Sequence, residues 1–324
     1  MAATRLLTTS HGTNREAFTA RDWVLFVSLA LIWGSSFLFI AIGLDAFHPG
    51  LVTLLRVAFG AGFLALIPKA RASKIDREDL PKIIVLAAMW VAIPFTLFPI
   101  AQQWIDSAIA GMLNGATPIF TAVIATIIHR ALPGSLQITG LVVGFAGILA
   151  IALPSAGGGT TAAIGVILVV LATVAYAISL NMVPPLQRKY GSLPLMARIE
   201  WIAVPMVVPF GIVGIGDSTF TWPSLLAVLG LGVLGTGLAF VLMGNLAGSV
   251  GATRASFLTY LIPVVALVLG VVFRNEVVSS VAIIGSGLVI FGAILASRRE
   301  VPRATSVTPD GVTPPSQQRD AAPA

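Results

Sequence analysis

Residues 135–182 read SLQITGLVVGFAGILAIALPSAGGGTTAAIGVILVVLATVAYAISLNM and contain no charged side chain. They belong to a run of 57 residues, 131–187, that lacks Asp, Glu, Lys and Arg. The segment from Pro154 to Thr161, rich in glycine, interrupts the run near its middle. Because a helix needs about 20 apolar residues to cross the hydrocarbon core of a bilayer, this stretch predicts two membrane-spanning helices joined by a turn.

The composition of the whole chain indicates the same class of protein. Of 324 residues, 57% are hydrophobic and 10% are charged, whereas an ordinary soluble domain has about 25% charged residues. The mean hydropathy is +0.97. These values exclude a water-soluble globular protein and a disordered chain. The chain has no cysteine, which excludes disulfides, zinc–thiolate sites, iron–sulfur clusters and thiol catalysis.

The remaining apolar stretches extend this interpretation to ten spans. We predict them at 23–44, 50–68, 83–104, 108–128, 135–153, 161–182, 196–216, 224–247, 252–273 and 279–297. Helices are favoured over a barrel because the stretches are continuously apolar and do not alternate. The predicted organisation is an all-α integral membrane protein with a cytoplasmic tail at 1–22, five helices in 23–153, five in 161–297 and a disordered cytoplasmic tail at 298–324.

The basic residues predict the orientation of these spans. With ten spans, the two tails and the connections after spans 2, 4, 6 and 8 all lie on one side of the membrane. Sixteen of the 19 Lys and Arg residues lie in or next to these segments. Arg274 lies on the opposite side. Cytoplasmic segments are enriched in Lys and Arg, so both termini are predicted to be cytoplasmic, in the plasma (inner) membrane of a bacterium. The net charge of +6 is thereby attributed to topology, with no nucleic-acid partner.

The two halves of the chain resemble each other at an offset of 145 residues. Segment 106–151 aligns with 251–296 without gaps, with eight identities in 46 positions. The aligned pairs include Pro118 with Pro263, Ser135 with Ser280, Gly140 with Gly285 and Gly147 with Gly292. Because five spans is an odd number, the second copy must enter the membrane from the other side. Such an inverted repeat is typical of secondary transporters with a binding site at the midplane, and simple duplication of a membrane scaffold is the alternative.

Several short motifs resemble the EamA-type family of the drug/metabolite transporter superfamily. They are IWGSSF at 32–37, Arg56, Thr117-Pro118, YLIP at 260–263, Glu276 and the spaced glycines Gly140, Gly147, Gly285 and Gly292. The resemblance covers about residues 23–297. It implies ten helices, an inverted repeat, a central cavity and a small metabolite or drug as substrate. The first half departs from the pattern, because Ala131 aligns with Glu276.

Polar and aromatic residues within the predicted spans are the candidates for substrate contact. They are Trp33, Ser36, Trp90, Asn114, Thr117, Tyr176, Asn181, Asn245, Thr259 and Tyr260. For each one, a hydrogen bond between helices is the alternative role. The set is aromatic and neutral, which favours an uncharged or zwitterionic molecule such as an amino acid, or a lipophilic cation bound through cation–π contacts.

Five charged residues lie in or near the spans. Arg56 and Arg198 align at an offset of 142 residues, and a charge inside the membrane is usually functional. The alternative is that both reach the interface or pair with Glu200. Asp106 and Glu276, at predicted outer ends, are either proton-coupling carboxylates or helix caps, with Asp106 suited to an N-cap. Asp106, Glu200 and Glu276 are the only candidate proton sites, and each has an alternative role. Our hypothesis is therefore facilitative transport, and transport driven by a proton site is the alternative.

These features predict a secondary transporter that exports a small metabolite or drug by alternating access. The alternative is a non-transporting membrane scaffold or partner subunit. No catalytic or metal-binding constellation is expected, and no cofactor. The expected partners are a small-molecule substrate, the lipid bilayer and a second copy of the chain as a candidate.

Overall fold

The computed structural model describes residues 18–71, 74–130, 134–156 and 159–297. All regular structure in these ranges is helical, which confirms the all-α prediction. Eight helical segments are long and apolar enough to cross a membrane, and two further apolar helices have 17 residues each. We label these segments α1 (Ala20–Leu44), α2 (Pro49–Ala65), α3 (Arg77–Ala101), α4 (Ser107–Ile128), α5 (Ser135–Pro154), α6 (Thr160–Tyr190), α7 (Ser192–Val213), α8 (Trp222–Val250), α9 (Ser256–Arg274) and α10 (Ser280–Ala296).

The predicted spans 50–68 and 279–297 correspond to the two short helices, α2 and α10. The N-terminal residues 1–17 and the tail 298–324 lie outside the described residues, as does Ala131. The predictions for the two tails and for this alanine are therefore not examined by the structure.

The outer surface of the helices is apolar. Val142 and Leu149 on α5 and Phe291 on α10 are each more than half exposed. A water-soluble protein would bury side chains of this size, whereas a bilayer solvates them as well as a protein interior does. The chain is thus a multi-pass membrane protein, and its lipid-facing surface lies outside a smaller buried core.

Segment α6 differs from the prediction. It was expected to end near 182, but it continues through Pro184 and Pro185 to Tyr190. The helix then stops at Gly191, whose φ of +81° is readily adopted only by glycine. Two prolines in succession therefore did not end this helix, and the glycine did.

Irregular turns occur at matching places in the two halves. Segments α3 and α8 each contain a six-residue π-helical turn, at Ala87–Ala92 and Val233–Leu238. Segment α4 is interrupted at Gly115, and α9 begins with the 3-10 turn Ser256–Tyr260. Left-handed residues also correspond, since Arg130 follows α4 with φ 49° and Asn275 follows α9 with φ 53°. The offset between matching irregularities is thus almost the same as the offset of 145 residues between the aligned sequence identities.

Segments α5 and α10 cross at very close range. A Cβ atom on Gly147 would lie 2.6 Å from the carbonyl oxygen of Gly285, and one on Gly292 would lie 2.6 Å from the carbonyl oxygen of Gly140. Contacts run from Gly140 near Gly292 to Gly147 near Gly285, so the helices are antiparallel. The absence of side chains at these glycines permits the backbones to touch, as in other small-residue helix crossings.

We expect Gly285→Ala to lower the free energy of unfolding by about 1–3 kcal/mol, because overpacking displaces backbone. The new methyl group would lie 2.8 Å from the carbonyl oxygen of Gly147. Gly287→Ala is the matched control, since nothing lies within 4 Å of a Cβ at that position on the same helix. Thermal unfolding in detergent measures both. Equal stability of the two variants would contradict the tight crossing.

Candidate substrate-binding cavity

A cavity of about 180 Å³ lies between the two halves of the chain. Segments α1 to α4 form one part of its wall, and α6, α8 and α9 form the other. Liquid water occupies about 30 Å³ per molecule, so the space suits a small molecule. The cavity thus has the location that the sequence predicts for a binding site.

Seven of the ten predicted contact residues line this cavity. They are Trp33, Ser36, Trp90, Asn114, Thr117, Tyr176 and Thr259. Arg56 lines it as well. The remaining wall consists of residues that were not among the predicted contact residues, namely Phe37, Ile40, Phe95, Phe98, Leu180, Gly235, Phe240 and Ile262.

The structure does not bring Asn181, Asn245 and Tyr260 to the cavity. The Asn181 amide donates hydrogen bonds to the carbonyls of Ala177 and Thr121, so it ties α6 to α4. Asn245 is exposed. The Tyr260 hydroxyl lies 3.3 Å from the carbonyl oxygen of Ala293, which holds α9 against α10. For Asn181 and Tyr260 the geometry matches the alternative role of helix-to-helix bonding.

Seven of the sixteen residues that line the cavity are aromatic. The Phe240 ring meets Trp33 and Trp90 edge to face, at centroid distances of 6.3 and 6.1 Å. Phe98 contacts Tyr176 from the other half at 6.0 Å. Aromatic pairs prefer such edge-to-face and tilted arrangements, so the rings hold one another in place around the empty space.

The two π-helical turns lie at the cavity. Trp90 belongs to the turn in α3, and Gly235 belongs to the turn in α8. The Trp33 indole N–H donates to the carbonyl of Gly235 at 3.1 Å. A π-turn interrupts the regular i to i−4 hydrogen bonds and is frequent at functional sites. The turn in α8 brings the backbone of Gly235 to the cavity, and the turn in α3 brings Trp90 to it.

Arg56 supplies the positive charge of the cavity wall. Its side chain is buried, and its guanidinium carbon lies 3.5 Å from the centroid of the Phe95 ring. Its Nε donates to the hydroxyl of Thr236 at 3.4 Å. The described residues offer it no carboxylate in direct contact. A carboxylate on a ligand in the cavity would therefore meet no competing acid in direct contact with this guanidinium.

Arg198 and Glu200 do not form a pair, which was one of the two alternatives for Arg198. Arg198 is exposed, whereas Glu200 is completely buried. Residues two apart point to opposite sides of a helix, which separates the two charges. Both carboxylate oxygens of Glu200 lack a hydrogen-bond partner in the described part of the chain.

Glu276, and not the side chain of Asp106, caps segment α4. Its carboxylate accepts hydrogen bonds from the backbone N–H groups of Ser107 and Ala108, at 2.9 and 2.8 Å. Asp106 occupies the N-cap position by backbone geometry, but its side chain makes no capping bond. Loss of hydration and the nearby Glu276 carboxylate raise the pKa of Asp106 above its ordinary value. Of the two acids for which a helix cap was one of the predicted roles, Asp106 stands at the N-cap position without a side-chain bond, and Glu276 caps α4 and joins its start to the end of α9.

Ion pairs link segments at the two ends of the bundle. Arg274 binds Asp45 through two parallel bonds of 2.7 and 2.9 Å. At the opposite predicted end, Lys189 pairs with Asp76 and Asp79, at 2.7 and 2.6 Å. The hydrogen bond from Lys189 lowers the pKa of Asp76. The two contacts of Lys189 join the end of α6 to the residues around the start of α3.

Comparison with known proteins matches residues 22–153 and 163–298 to the model of the EamA-like transporter family. The chain belongs to the EamA-like transporter family. The two matched stretches together span nearly all of the described residues. A transporter role follows from this membership.

Three relatives are similar along most of their length. A probable terminal-alkyne amino-acid exporter of Streptantibioticus cattleyicolor is 25% identical, over 89% of this chain and 97% of that protein. The inner membrane transporter YedA of Escherichia coli K12, described as uncharacterized, is 25% identical, over 83% and 88%. A probable amino-acid metabolite efflux pump of the same strain is 23% identical, over 84% and 93%.

Proposed function

We propose that this EamA-like transporter is a secondary transporter that exports a small amino-acid-like metabolite by alternating access. The observation that carries the proposal is the cavity between the two halves, which combines aromatic walls with the guanidinium of Arg56. A pocket of this kind binds the apolar part of an amphipathic molecule on its rings and fixes orientation through a few polar groups.

Two inverted five-helix repeats are the proposed framework. The family model matches two stretches, 22–153 and 163–298. The π-turns and left-handed residues recur at corresponding positions. Segments α5 and α10 correspond in the repeat and run antiparallel. A two-fold rotation that exchanges these antiparallel helices has its axis perpendicular to them. The second repeat then crosses the membrane in the direction opposite to the first. This supports ten crossings, with α2 and α10 as short spans.

The charge of the wall favours one of the two substrate classes that the sequence left open. A lipophilic cation would lie beside the Arg56 guanidinium, which repels it. A carboxylate would receive charge-assisted hydrogen bonds from the same group. A sugar phosphate would require several basic residues, and Arg56 is the one Lys or Arg among the described lining residues. Two relatives carry names that refer to amino acids, which agrees with a zwitterion as substrate.

The proposed orientation places the end of α5 in the periplasm. We expect a reporter fused after Ala156 to report the periplasm, and one fused after Ala324 to report the cytoplasm, because sixteen basic residues lie on the predicted cytoplasmic side. Alkaline phosphatase and green fluorescent protein are suitable reporters, since each is active on one side of the membrane. A cytoplasmic signal from the Ala156 fusion would contradict the ten-crossing topology.

Transport by purified protein in proteoliposomes tests the function. The probes are labelled phenylalanine, tetraphenylphosphonium and glucose 6-phosphate, each offered with a substrate gradient alone. Phenylalanine flux above that of empty liposomes is the expected result. Flux of none of the probes, or specific flux of the sugar phosphate, would count against the proposed substrate class.

A further inference from the structure

Glu200 is a buried acid to which transport of an amino-acid-like substrate gives no role. No part of it is accessible, and its carboxylate oxygens have no hydrogen-bond partner in the described part of the chain. It lies on the same buried face of α7 as Met196, Ala203 and Val207. A charged carboxylate without partners is strongly disfavoured in such apolar surroundings, and ionisable groups inside a membrane protein are usually functional.

The positive group within electrostatic range of Glu200 is Arg56. Segment α7 packs tightly on α2, where a Cβ on Gly211 would lie 2.5 Å from the side chain of Leu54. Arg56 and Glu200 interact through their charges without direct contact. Tyr176 of α6 is within range of both.

The sequence of α8 contains no titratable group. The other segments packed on α7 have charged residues at their ends, namely Lys69 and Arg71 after α2, Arg77, Glu78, Asp79 and Lys82 at the start of α3, and Arg188 and Lys189 at the end of α6. Arg56 is therefore part of the cavity wall and also part of the electrostatic environment of Glu200. A change of charge at Glu200 is felt at the cavity through this one guanidinium.

We propose that Glu200 is the proton-binding group of this transporter, and that protonation of Glu200 and binding of a substrate carboxylate at Arg56 favour each other. The inference rests on the proposed function. When Glu200 is ionised, its negative charge offsets part of the attraction between Arg56 and the substrate carboxylate. When Glu200 is neutral, the full charge of the guanidinium attracts the carboxylate. Such coupling is reciprocal, so bound substrate draws a proton onto Glu200.

The proposal predicts that one proton moves with each substrate in the same direction, so that export is driven by the substrate gradient and carries a proton outward. The proton comes from the solution on the side where the cavity opens, and it leaves to the solution on the other side. The other two acids fit this role less well, since Glu276 is engaged by Ser107 and Ala108 at the start of α4. Asp106 lies at the start of α4, where the charged group that acts on it is Glu276 and not Arg56. This replaces the facilitative hypothesis with a specific coupling residue.

Binding of labelled phenylalanine to purified protein, measured between about pH 5.5 and about pH 8.5, tests the linkage. We expect the affinity of the wild type to fall about tenfold as the pH rises. Glu200→Gln is expected to keep the high affinity at every pH. Glu78→Gln, an exposed acid outside the cavity, is the matched control and should behave as the wild type. Persistence of the full pH dependence in Glu200→Gln would overturn the proposal.

A second measurement does not depend on the variant. Proteoliposomes loaded with a pH-sensitive dye receive phenylalanine on the outside, and the expected result is acidification of the lumen as the substrate enters. Phenylalanine flux without a pH change in the wild type would overturn the proton site but leave the proposed function intact. If phenylalanine is not transported, infrared spectroscopy tests the proton site. The pH-dependent band of a protonated carboxylic acid must be present in the wild type and absent in Glu200→Gln.

Discussion

Substitution of Arg56 by Gln is expected to weaken phenylalanine binding by about 10- to 100-fold, since hydrogen bonds to a charged group contribute about 1.5–3 kcal/mol. Glutamine retains polar atoms and much of the side-chain length but has no positive charge. Arg56→Lys should restore the affinity only in part, because an ammonium group cannot make the paired bonds of a guanidinium. Equilibrium binding to purified protein provides the measurement.

Arg198→Gln is the matched control for this prediction. Arg198 aligns with Arg56 in the repeat but is exposed on α7. Its substitution should leave the affinity unchanged. Equal losses in the two variants would mean that Arg56 has no special role at the cavity.

Substitution of Phe240 by Ala is expected to weaken phenylalanine binding by about 10-fold or more. This ring contacts both Trp33 and Trp90, and an aromatic pair contributes about 0.5–1.5 kcal/mol beyond its buried area. Without Phe240, the two tryptophans lose the ring that orients them. Binding of alanine, which has no ring to contact the wall, should change much less.

Phe291→Ala provides the control for Phe240, since Phe291 lies on the exposed face of α10. It should bind phenylalanine as the wild type does. A loss of alanine binding in Phe240→Ala as large as that of phenylalanine would indicate a general disturbance of the fold rather than loss of an aromatic contact.

The helices themselves could be predicted from the sequence. In lipid every backbone polar group needs an internal partner, so a long uncharged stretch has little alternative to a helix. The end of α6 could not be predicted in this way. Its two prolines lie inside the helix without ending it, and the break depends on the positive φ of Gly191. The π-turns have no recognisable sequence signal, because they arise where neighbouring helices impose them.

The polar part of the cavity was also accessible from the sequence, because polar residues in apolar helices are conspicuous. Phe95 and Phe240 were not, since phenylalanine is equally common on lipid-facing surfaces. A signal for Glu200 did exist. Residues two apart on a helix lie on different sides of it. If one of Arg198 and Glu200 is exposed, the other is therefore expected to be buried, and Glu200 is the buried one.

The central claim is that Arg56 selects a substrate carboxylate in an aromatic cavity. Competition between phenylalanine and phenethylamine for flux in proteoliposomes tests it most directly, because the two molecules share the ring and the amine and differ in the carboxylate. We expect phenylalanine to be transported, phenethylamine to inhibit weakly, and Arg56→Gln to remove this preference. Preferred transport of phenethylamine by the wild type would show that Arg56 does not select a carboxylate.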